Sequence, residues 1–275
     1  MSTPSYKSQV ETAASYLKGH IQSVPTIAIV LGTGLDILSH SVDVTQEIAF
    51  GDIPFFPKST VQSHGGSLVV GAIKGVPVLL LRGRVHLYEG YSAKEVTLPI
   101  RALGLCGVTT LILSNACGAM NPEYRSGDIM LIKDHINMMG QNPLEGPNVD
   151  EWGPRFPDMS DPYRESLRAL VRKEANDASI PLHEGVYVSV VGPNLETKAE
   201  YTMLRLMGAD VVGMSTVPEV LAARHMGIDV LAFSVVTDEC FPDELQPVTL
   251  EDVLRAANAA APVLIRLIGR VLRLI

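Results

Sequence analysis

The sequence contains few cysteines, namely Cys106, Cys117 and Cys240 in 275 residues. Their number is odd, and no two of them have the CxxC spacing of a zinc or redox site. Disulfide-stapled secreted domains are dense in cysteine, whereas scattered cysteines are typical of reduced thiols in the cytoplasm. We therefore predict a cytoplasmic protein with no disulfide framework and no bound metal.

Positive charge is also sparse. The chain has 22 lysines and arginines against 30 acidic residues, a net charge of −8, and the cations are dispersed along it. Nucleic-acid binders concentrate their cations in a patch or stripe, so we predict no nucleic-acid partner. Any anion that this protein binds must be held by a local pocket.

Long apolar runs are missing. Residues 1–20 are polar throughout and lack the apolar core of a signal peptide. The most apolar segment, residues 256–275, is interrupted by Pro262 and by three arginines, so it cannot supply the roughly twenty lipid-compatible residues of a membrane span. We predict no membrane association and interpret this segment as a soluble helix.

The glycine pattern is incomplete for a dinucleotide-binding fold. "GTGLDI" at residues 32–37 has two of the required glycines, but Ile37 stands where the third belongs. A nicotinamide-dependent oxidoreductase has only this partial motif in its favour.

What the sequence does contain is a regular alternation of β-rich apolar runs with helical patterns. Strands are predicted at Thr26–Leu31, Ser67–Ile73, Val76–Leu81, Thr109–Leu113, Asp128–Ile132, Gly185–Val191, Asp210–Val212 and Asp229–Val236. Helices are predicted at about 5–20, 94–106, 161–178, 197–207, 216–226 and 249–273. This predicts an α/β fold, a single domain over residues 1–275 with a central mixed, largely parallel β-sheet flanked by helices.

Small and polar residues follow these strands. The segments are "GTGLD" (32–36), "LRGRVHLYEGY" (81–91), "SNACGAMN" (114–121), "GPNLET" (192–197), "GMSTVPE" (213–219) and "TDEC" (237–240). Sites in open α/β sheets lie at the carboxyl ends of strands, so we interpret these turns as the rim of one pocket. A longer irregular segment at 137–161, rich in Pro, Gly and Asn, is typical of a functional loop or a subunit contact.

Several of these segments have the chemistry of an anion site. The turn Gly32–Gly34 can bring backbone amides and the Thr33 hydroxyl close to an anion. Arg84 offers a fork of donors, and His86 falls on the same face if the strand continues. Ser215 precedes a predicted helix, where amide donors and the helix dipole also favour negative charge.

The segments that carry these residues closely resemble the trimeric class of purine nucleoside phosphorylases. In chain order they are "LGTGL", "GRVHLYEGY", "SNACGAMNPEYRSGDIMLIKDHIN", "GQNPLEGPN", "RFPDMSDPY", "GPNLETKAEY" and "ADVVGMSTVPEV", and the resemblance runs from about Thr26 to Leu264. It implies reversible cleavage of a purine nucleoside by orthophosphate, as in purine salvage, yielding free base and ribose 1-phosphate. Orthophosphate is then a co-substrate, and no metal or organic cofactor is implied.

The resemblance also implies a role for individual residues. Phosphate would be held by Thr33, His64, Arg84, His86, the backbone amide of Ala116 and Ser215. The ribose would contact Tyr88, Asn115 and Met214, and also Phe156 lent by a neighbouring subunit of a homotrimer. The base would contact Leu195, Glu196, Val212, Gly213, Thr237 and Asp238, and catalytic roles are implied for His86, Glu196 and Asp238.

Two departures from the family pattern bear on the substrate. Asp238 stands where the family usually has an asparagine facing N7 and O6, and an ionised aspartate accepts hydrogen bonds but does not donate them. Glu196 suits the N1–H of hypoxanthine or guanine, so we predict inosine and guanosine as main substrates, with more adenosine tolerance than an asparagine enzyme has. A protonated Asp238 would reconcile both carboxyl groups with a 6-oxo purine.

Leu250 aligns with a family histidine that meets the 5′-hydroxyl, and this would ease entry of an apolar 5′ substituent. A 5′-methylthio-nucleoside phosphorylase of the same superfamily is therefore the alternative interpretation. A non-catalytic nucleoside-binding protein is a further alternative, which phosphate-dependent release of base from inosine would exclude.

Overall fold

The alternation of β-rich runs and helical patterns produces an α/β fold in the computed structural model, which describes residues 4–58 and 66–275. The strands are β1 (Ile27–Val30), β2 (Asp43–Ala49), β3 (Ser67–Ile73), β4 (Val76–Arg82), β5 (Thr110–Ala119), β6 (Ile129–Asn137), β7 (His183–Ser189), β8 (Val211–Gly213) and β9 (Asp229–Glu239). The α-helices are α1 (Tyr6–His20), α2 (Ala93–Leu105), α3 (Glu165–Asp177), α4 (Lys198–Leu206), α5 (Val217–His225) and α6 (Leu250–Val271). Helices flank a central sheet, as predicted.

The strands form one sheet in the order β2-β3-β4-β1-β5-β8-β7-β6-β9, and β5 also pairs with β9. That extra pairing closes the second half of the sheet on itself. Parallel pairs are β1–β4, β1–β5, β5–β9, β6–β7 and β7–β8, and antiparallel pairs are β2–β3, β3–β4, β5–β8 and β6–β9. The mixed sheet is confirmed.

The core lies on both faces of the sheet. Every residue of β1 is buried, and successive residues alternate between two apolar layers, with Ala28 and Val30 in one and Ile27 and Ile29 in the other. This follows from the period of two in a strand, and burial on both faces explains why β1 is a continuous apolar run.

Most helices begin where the sequence has a capping pattern. The side chains of Ser92, Thr197 and Thr249 accept hydrogen bonds from the amides three residues later and begin α2, α4 and α6. The predicted helix boundaries agree with the observed ones within a few residues. In the described ranges, none of the helices is both long enough and apolar enough to span a membrane.

Several predicted strand ends were wrong, because the strands continue into the segments that were interpreted as turns. β5 runs on to Ala119 and includes most of "SNACGAMN", and β9 runs on to Glu239 and includes "TDE". Small and polar residues can stay in these strands because β5 pairs with β1, β8 and β9 and so satisfies its backbone groups from both sides.

One strand was not predicted. β2 is an edge strand whose residues are mostly exposed, so it lacks the apolar alternation that marks a half-buried strand. The irregular segment was predicted correctly, because residues 138–164 between β6 and α3 contain no helix or strand.

Candidate active site

A cavity of about 170 Å³ opens where β1, β4, β5, β8 and β9 end and where α4, α5 and α6 approach them. It is lined by Thr33, Arg84, His86, Tyr88, Asn115, Ala116, Cys117, Gly118, Leu195, Glu196, Tyr201, Val212, Gly213, Met214, Ser215, Thr237, Asp238 and Val253. Residues from all six predicted rim segments are among them. The convergence of these segments around one pocket is therefore an observed feature of the fold.

Nearly all of the residues to which the resemblance assigns a role line this cavity. His64 lies outside the described residues. Phe156 does not line the cavity and is 87% exposed. A residue that contacts the site of another subunit must be exposed in this way on its own subunit. The individual roles stay predictions, and the geometry below describes what each group could do.

Arg84 is held at the buried end of the cavity just after β4. Its Nε donates to Glu219 Oε1 at 3.0 Å, and its Nη1 donates to the Ser114 carbonyl at 3.0 Å and to Ser215 Oγ at 3.3 Å. Nη2 is buried and has no hydrogen-bond partner among the described residues. A buried cationic donor without a partner is costly, so this atom suits an anionic ligand.

Glu219 is a functional candidate that sequence reasoning missed. It is 4% exposed and lies in the first turn of α5, where its other oxygen, Oε2, accepts from the Thr216 amide at 3.1 Å. It thereby fixes the plane of the Arg84 guanidinium and balances part of its charge. The only sequence signal was a glutamate at the third position of a helix, which usually indicates a helix cap.

The turn Gly32–Gly34 packs directly against β5. The Gly32 amide donates to Ser114 Oγ at 3.2 Å, and a Cβ at position 32 would lie 2.6 Å from both the Asn115 Cα and the Ser114 carbonyl oxygen. Position 32 therefore requires glycine, because the backbone of the turn lies directly against the backbone of β5. This close approach also brings Thr33 to the cavity wall.

His86 is anchored by Glu89. Glu89 Oε1 accepts from the His86 amide at 2.8 Å and lies 3.1 Å from Nδ1, which makes Nδ1 the nitrogen that carries hydrogen. Glu89 therefore braces the backbone and the imidazole of His86. The Tyr88 ring stacks on the imidazole at a centroid distance of 4.7 Å, and burial together with the Glu89 charge raises the pKa of Tyr88 to about 12, so its hydroxyl stays neutral.

Thr216, which the sequence did not single out, adopts a strained backbone conformation beside Ser215. Its φ of 72° and ψ of −54° are unusual for a β-branched residue. Asn115 Nδ2 holds the Thr216 hydroxyl at 2.9 Å, and Tyr187 Oη accepts from the Ser215 amide at 3.3 Å. In this arrangement Ser215 Oγ lies 3.3 Å from Arg84 Nη1.

Two carboxyl groups lie at the other end of the cavity. Burial, and then the nearby charge of Asp238, raise the pKa of Glu196 above its usual range, although a hydrogen bond from Tyr201 opposes the shift. Asp238 Oδ2 accepts from the Cys240 thiol at 3.0 Å, and Oδ1 lies 2.8 Å from the Thr237 hydroxyl. That hydroxyl is also 3.2 Å from the Cys117 carbonyl, so its single hydrogen serves one of the two acceptors.

The cavity wall contains four residues that sequence reasoning did not assign: Cys117, Gly118, Tyr201 and Val253. Cys117, Gly118 and Val253 are small or apolar, and Tyr201 lies in helix α4. From sequence alone, such residues are interpreted as part of the core. At the α6 side of the cavity Val253 is the lining residue, whereas Leu250 is 59% exposed and does not line it.

Comparisons with known proteins agree with this geometry. Residues 26–273 match the model of the family described as "Phosphorylase superfamily". The chain is 46% identical over 252 residues to "Purine nucleoside phosphorylase 1" of Bacillus subtilis (strain 168), a match that covers 92% of this chain and 93% of that one.

Solved structures give the same result. A schistosoma purine nucleoside phosphorylase in complex with hypoxanthine superposes with a TM-score of 0.90 at 39% identity and covers 98% of each chain. The Schistosoma mansoni purine nucleoside phosphorylase in complex with adenosine superposes with a TM-score of 0.89 at 40% identity and covers 96% of each chain. By family match, identity and fold, the chain belongs to the phosphorylase superfamily and, within it, to the purine nucleoside phosphorylases.

Proposed function

We propose that this protein catalyses the phosphorolysis of purine nucleosides, transferring the pentosyl group from the base to orthophosphate. The observation that carries the proposal is the polarity of the cavity. Arg84 contributes at one end a buried donor, Nη2, that has no partner among the described residues, and Glu196 and Asp238 contribute two carboxyl groups at the other end. An anionic nucleophile and a hydrogen-bonding base can therefore occupy the two ends at once.

At the phosphate end, a phosphate oxygen attacks C1′ while the bond from C1′ to the purine nitrogen breaks. The sugar gains positive charge as this bond lengthens, so a phosphate fixed beneath it is both nucleophile and counter-charge. Arg84, His86 and Ser215 are held by hydrogen bonds before the ligand arrives, and such preorganisation avoids a reorganisation cost in the transition state.

At the base end, the electron pair of the broken bond moves onto the purine. Hydrogen bonds to the base must strengthen as this charge arrives, and a proton delivered to N7 neutralises it. Glu196 is suited to accept from N1–H, and Asp238 is suited to face N7 and the 6-substituent. We assign the catalytic roles to these two residues and to His86.

For the nucleoside, we propose inosine and guanosine as main substrates with appreciable use of adenosine. Related proteins have been solved with hypoxanthine and with adenosine, which supports a site of this shape for either type of base. A 5′-methylthio-nucleoside is the second candidate, and the apolar Val253 at the α6 side of the cavity is the observation that favours it.

We further propose a cytoplasmic homotrimer without organic cofactor, in which each subunit lends Phe156 to a neighbouring site. The 87% exposure of Phe156 supports the proposal, because it leaves the ring accessible to a neighbouring subunit.

The decisive experiment is an assay of inosine with and without orthophosphate. We expect hypoxanthine and ribose 1-phosphate to form only when phosphate is present. Equal release of base without phosphate would indicate a hydrolase, and no release under either condition would leave a binding protein. Guanosine, adenosine and methylthioadenosine assayed alongside rank the substrates.

A further inference from the structure

A line of buried donors lies behind the two carboxyl groups of the cavity. Cys240 is 1% exposed and donates its thiol hydrogen to Asp238 Oδ2 at 3.0 Å. Tyr201 is 2% exposed and lines the cavity together with Glu196, and its hydroxyl interacts with the Glu196 carboxyl group and with the Cys240 thiol. Asp238, Cys240, Tyr201 and Glu196 thus form one continuous chain of contacts.

The close approach of Cys240 and Asp238 is built into the neighbouring strand. A Cβ at Gly118 of β5 would lie 2.5 Å from the Cys240 sulfur and 3.1 Å from Asp238 Oδ2. Both groups therefore occupy the space that a side chain at position 118 would take. The Cys240 amide also donates to the Ala119 carbonyl at 2.8 Å, which fixes its backbone against the same strand.

Both residues keep their hydrogens at neutral pH. Burial, followed by the charge of Asp238, raises the pKa of Cys240 far above that of an ordinary thiol. Burial also raises the pKa of Tyr201 well above the usual phenol range. Each can therefore act as a donor to a carboxyl group, but neither is suited to act as a base or a nucleophile.

We propose that Cys240 and Tyr201 are positioning residues that determine substrate specificity. Each donates to one carboxyl group of the cavity and favours the ionised, accepting form of that group. Together they set the preference between 6-amino and 6-oxo purines. The inference rests on the proposed function, because it assumes that Asp238 faces the 6-substituent and that Glu196 faces N1.

The two residues act in opposite directions. A donor to Asp238 Oδ2 satisfies the ionised carboxylate, which accepts from a 6-amino group but faces a lone pair on O6. A donor to Glu196 satisfies its ionised form, which accepts from the N1–H of a 6-oxo purine but faces a lone pair on adenine N1. Cys240 thus favours adenosine, and Tyr201 favours inosine.

The test is the ratio of kcat/KM for adenosine to kcat/KM for inosine. Cys240→Val removes the thiol donor at similar volume, and we expect the ratio to fall by about threefold to tenfold, the effect of one hydrogen bond. Cys240→Ser restores a donor and should hold the ratio within about twofold of the native value. Tyr201→Phe should raise the ratio by about threefold to tenfold.

Matched controls make the same chemical changes away from the cavity. Cys106→Val removes a half-buried thiol, and Tyr124→Phe removes a hydroxyl that reaches the Glu184 carbonyl, and both should leave the ratio unchanged. Circular dichroism establishes that each variant is folded, and Cys240→Ala replaces Cys240→Val if that variant is not.

Two outcomes would refute the inference and show that Cys240 and Tyr201 only support the fold. In the first, Cys240→Val and Tyr201→Phe each lower kcat/KM equally for adenosine and inosine. In the second, the two variants shift the ratio of these kcat/KM values in the same direction. Failure of the native protein to release base from any purine nucleoside with phosphate would instead refute the proposed function.

Discussion

At the scale of single residues, the site depends on groups that orient other groups. Arg84 is directed by Glu219, His86 by Glu89, and Asp238 by Thr237 and Cys240. Each orienting partner is buried or lies on the cavity wall, so its loss should act through its partner rather than by removing a contact with substrate.

Glu219→Gln tests this for the phosphate end. The variant retains the size of the side chain but removes the charge that holds Arg84 Nε, and a hydrogen bond between charged groups contributes about 1.5–3 kcal/mol. We expect the KM for phosphate to rise about tenfold or more, with a smaller change in the KM for inosine. Glu251→Gln, an exposed carboxylate in the first turn of α6, is the matched control. Unchanged phosphate affinity in Glu219→Gln would contradict the assignment.

The pKa of Glu196 predicts the acid limb of the pH profile. Because burial raises this pKa above the usual value of about 4.3, Glu196 takes up a proton at a higher pH than an ordinary glutamate does. The protonated form loses the negative charge that strengthens the hydrogen bond from the N1–H of inosine, so kcat/KM for inosine should fall as the pH is lowered through the raised pKa. Adenosine, whose N1 accepts a hydrogen bond, should lose less.

Glu196→Gln supplies the comparison, because its side chain does not titrate. In this variant the difference between the inosine and adenosine pH profiles should disappear. A native profile for inosine that is flat down to the ordinary glutamate range would contradict the placement of Glu196 at N1.

At the scale of elements, the site depends on strands that continue further than their apolar residues indicate. β5 carries Asn115 and Ala116 past the end of its apolar run, and the turn after β1 packs on it through Gly32. The close approach of these two backbones brings Thr33 to the wall of the cavity that Arg84 also lines.

Gly32→Ala tests that approach. The added methyl group would lie 2.6 Å from backbone atoms of β5 that cannot move independently, so we expect a loss of about 1–3 kcal/mol in the free energy of unfolding and a higher KM for phosphate. Chemical denaturation measures the first effect. Gly19→Ala in α1 is the control, since nothing lies within 4 Å of a Cβ there, and it should be neutral or stabilising by up to about 1 kcal/mol. Equal stability of the two variants would refute the packing argument.

At the scale of the whole molecule, the proposed trimer depends on Phe156, an exposed aromatic residue outside the cavity. Phe156 lies in the irregular segment between β6 and α3, and the Arg155 guanidinium lies 5.7 Å from its ring centroid. Neither residue lines the cavity of its own chain.

Phe156→Ala therefore tests the shared site. Its side chain is 87% exposed, so the free energy of unfolding of the subunit should hardly change, whereas activity should fall about tenfold if the ring covers a neighbour's substrate. Leu206→Ala, at 82% exposure on α4, should leave activity intact.

Mixed assemblies give a sharper result. Subunits carrying Phe156→Ala and subunits carrying Glu196→Gln are each impaired alone, but together they can form sites with an intact Glu196 and a lent Phe156. We expect partial recovery of inosine phosphorolysis on mixing and reassembly, with light scattering to measure the mass of the assembly. Full activity of Phe156→Ala as a monomer would refute the shared site.

The local features of this protein could be predicted from its sequence, because they depend on residues close together in the chain. Helix starts follow from caps such as Thr197 and Thr249, and buried strands follow from apolar runs such as that of β1. The segments that line the cavity were recognisable for the same reason, since each is a short motif whose residues act together.

Only the tertiary structure decided which groups act on one another across the chain. Glu219 meets Arg84 across 135 positions, and the end of β5 stays in the sheet because β9 pairs with it. The chain of Cys240, Tyr201 and the two carboxyl groups depends on the absence of a side chain at Gly118. Such contacts have no local pattern, because hydrogen bonds and close packing depend on distances in space that a linear sequence does not contain.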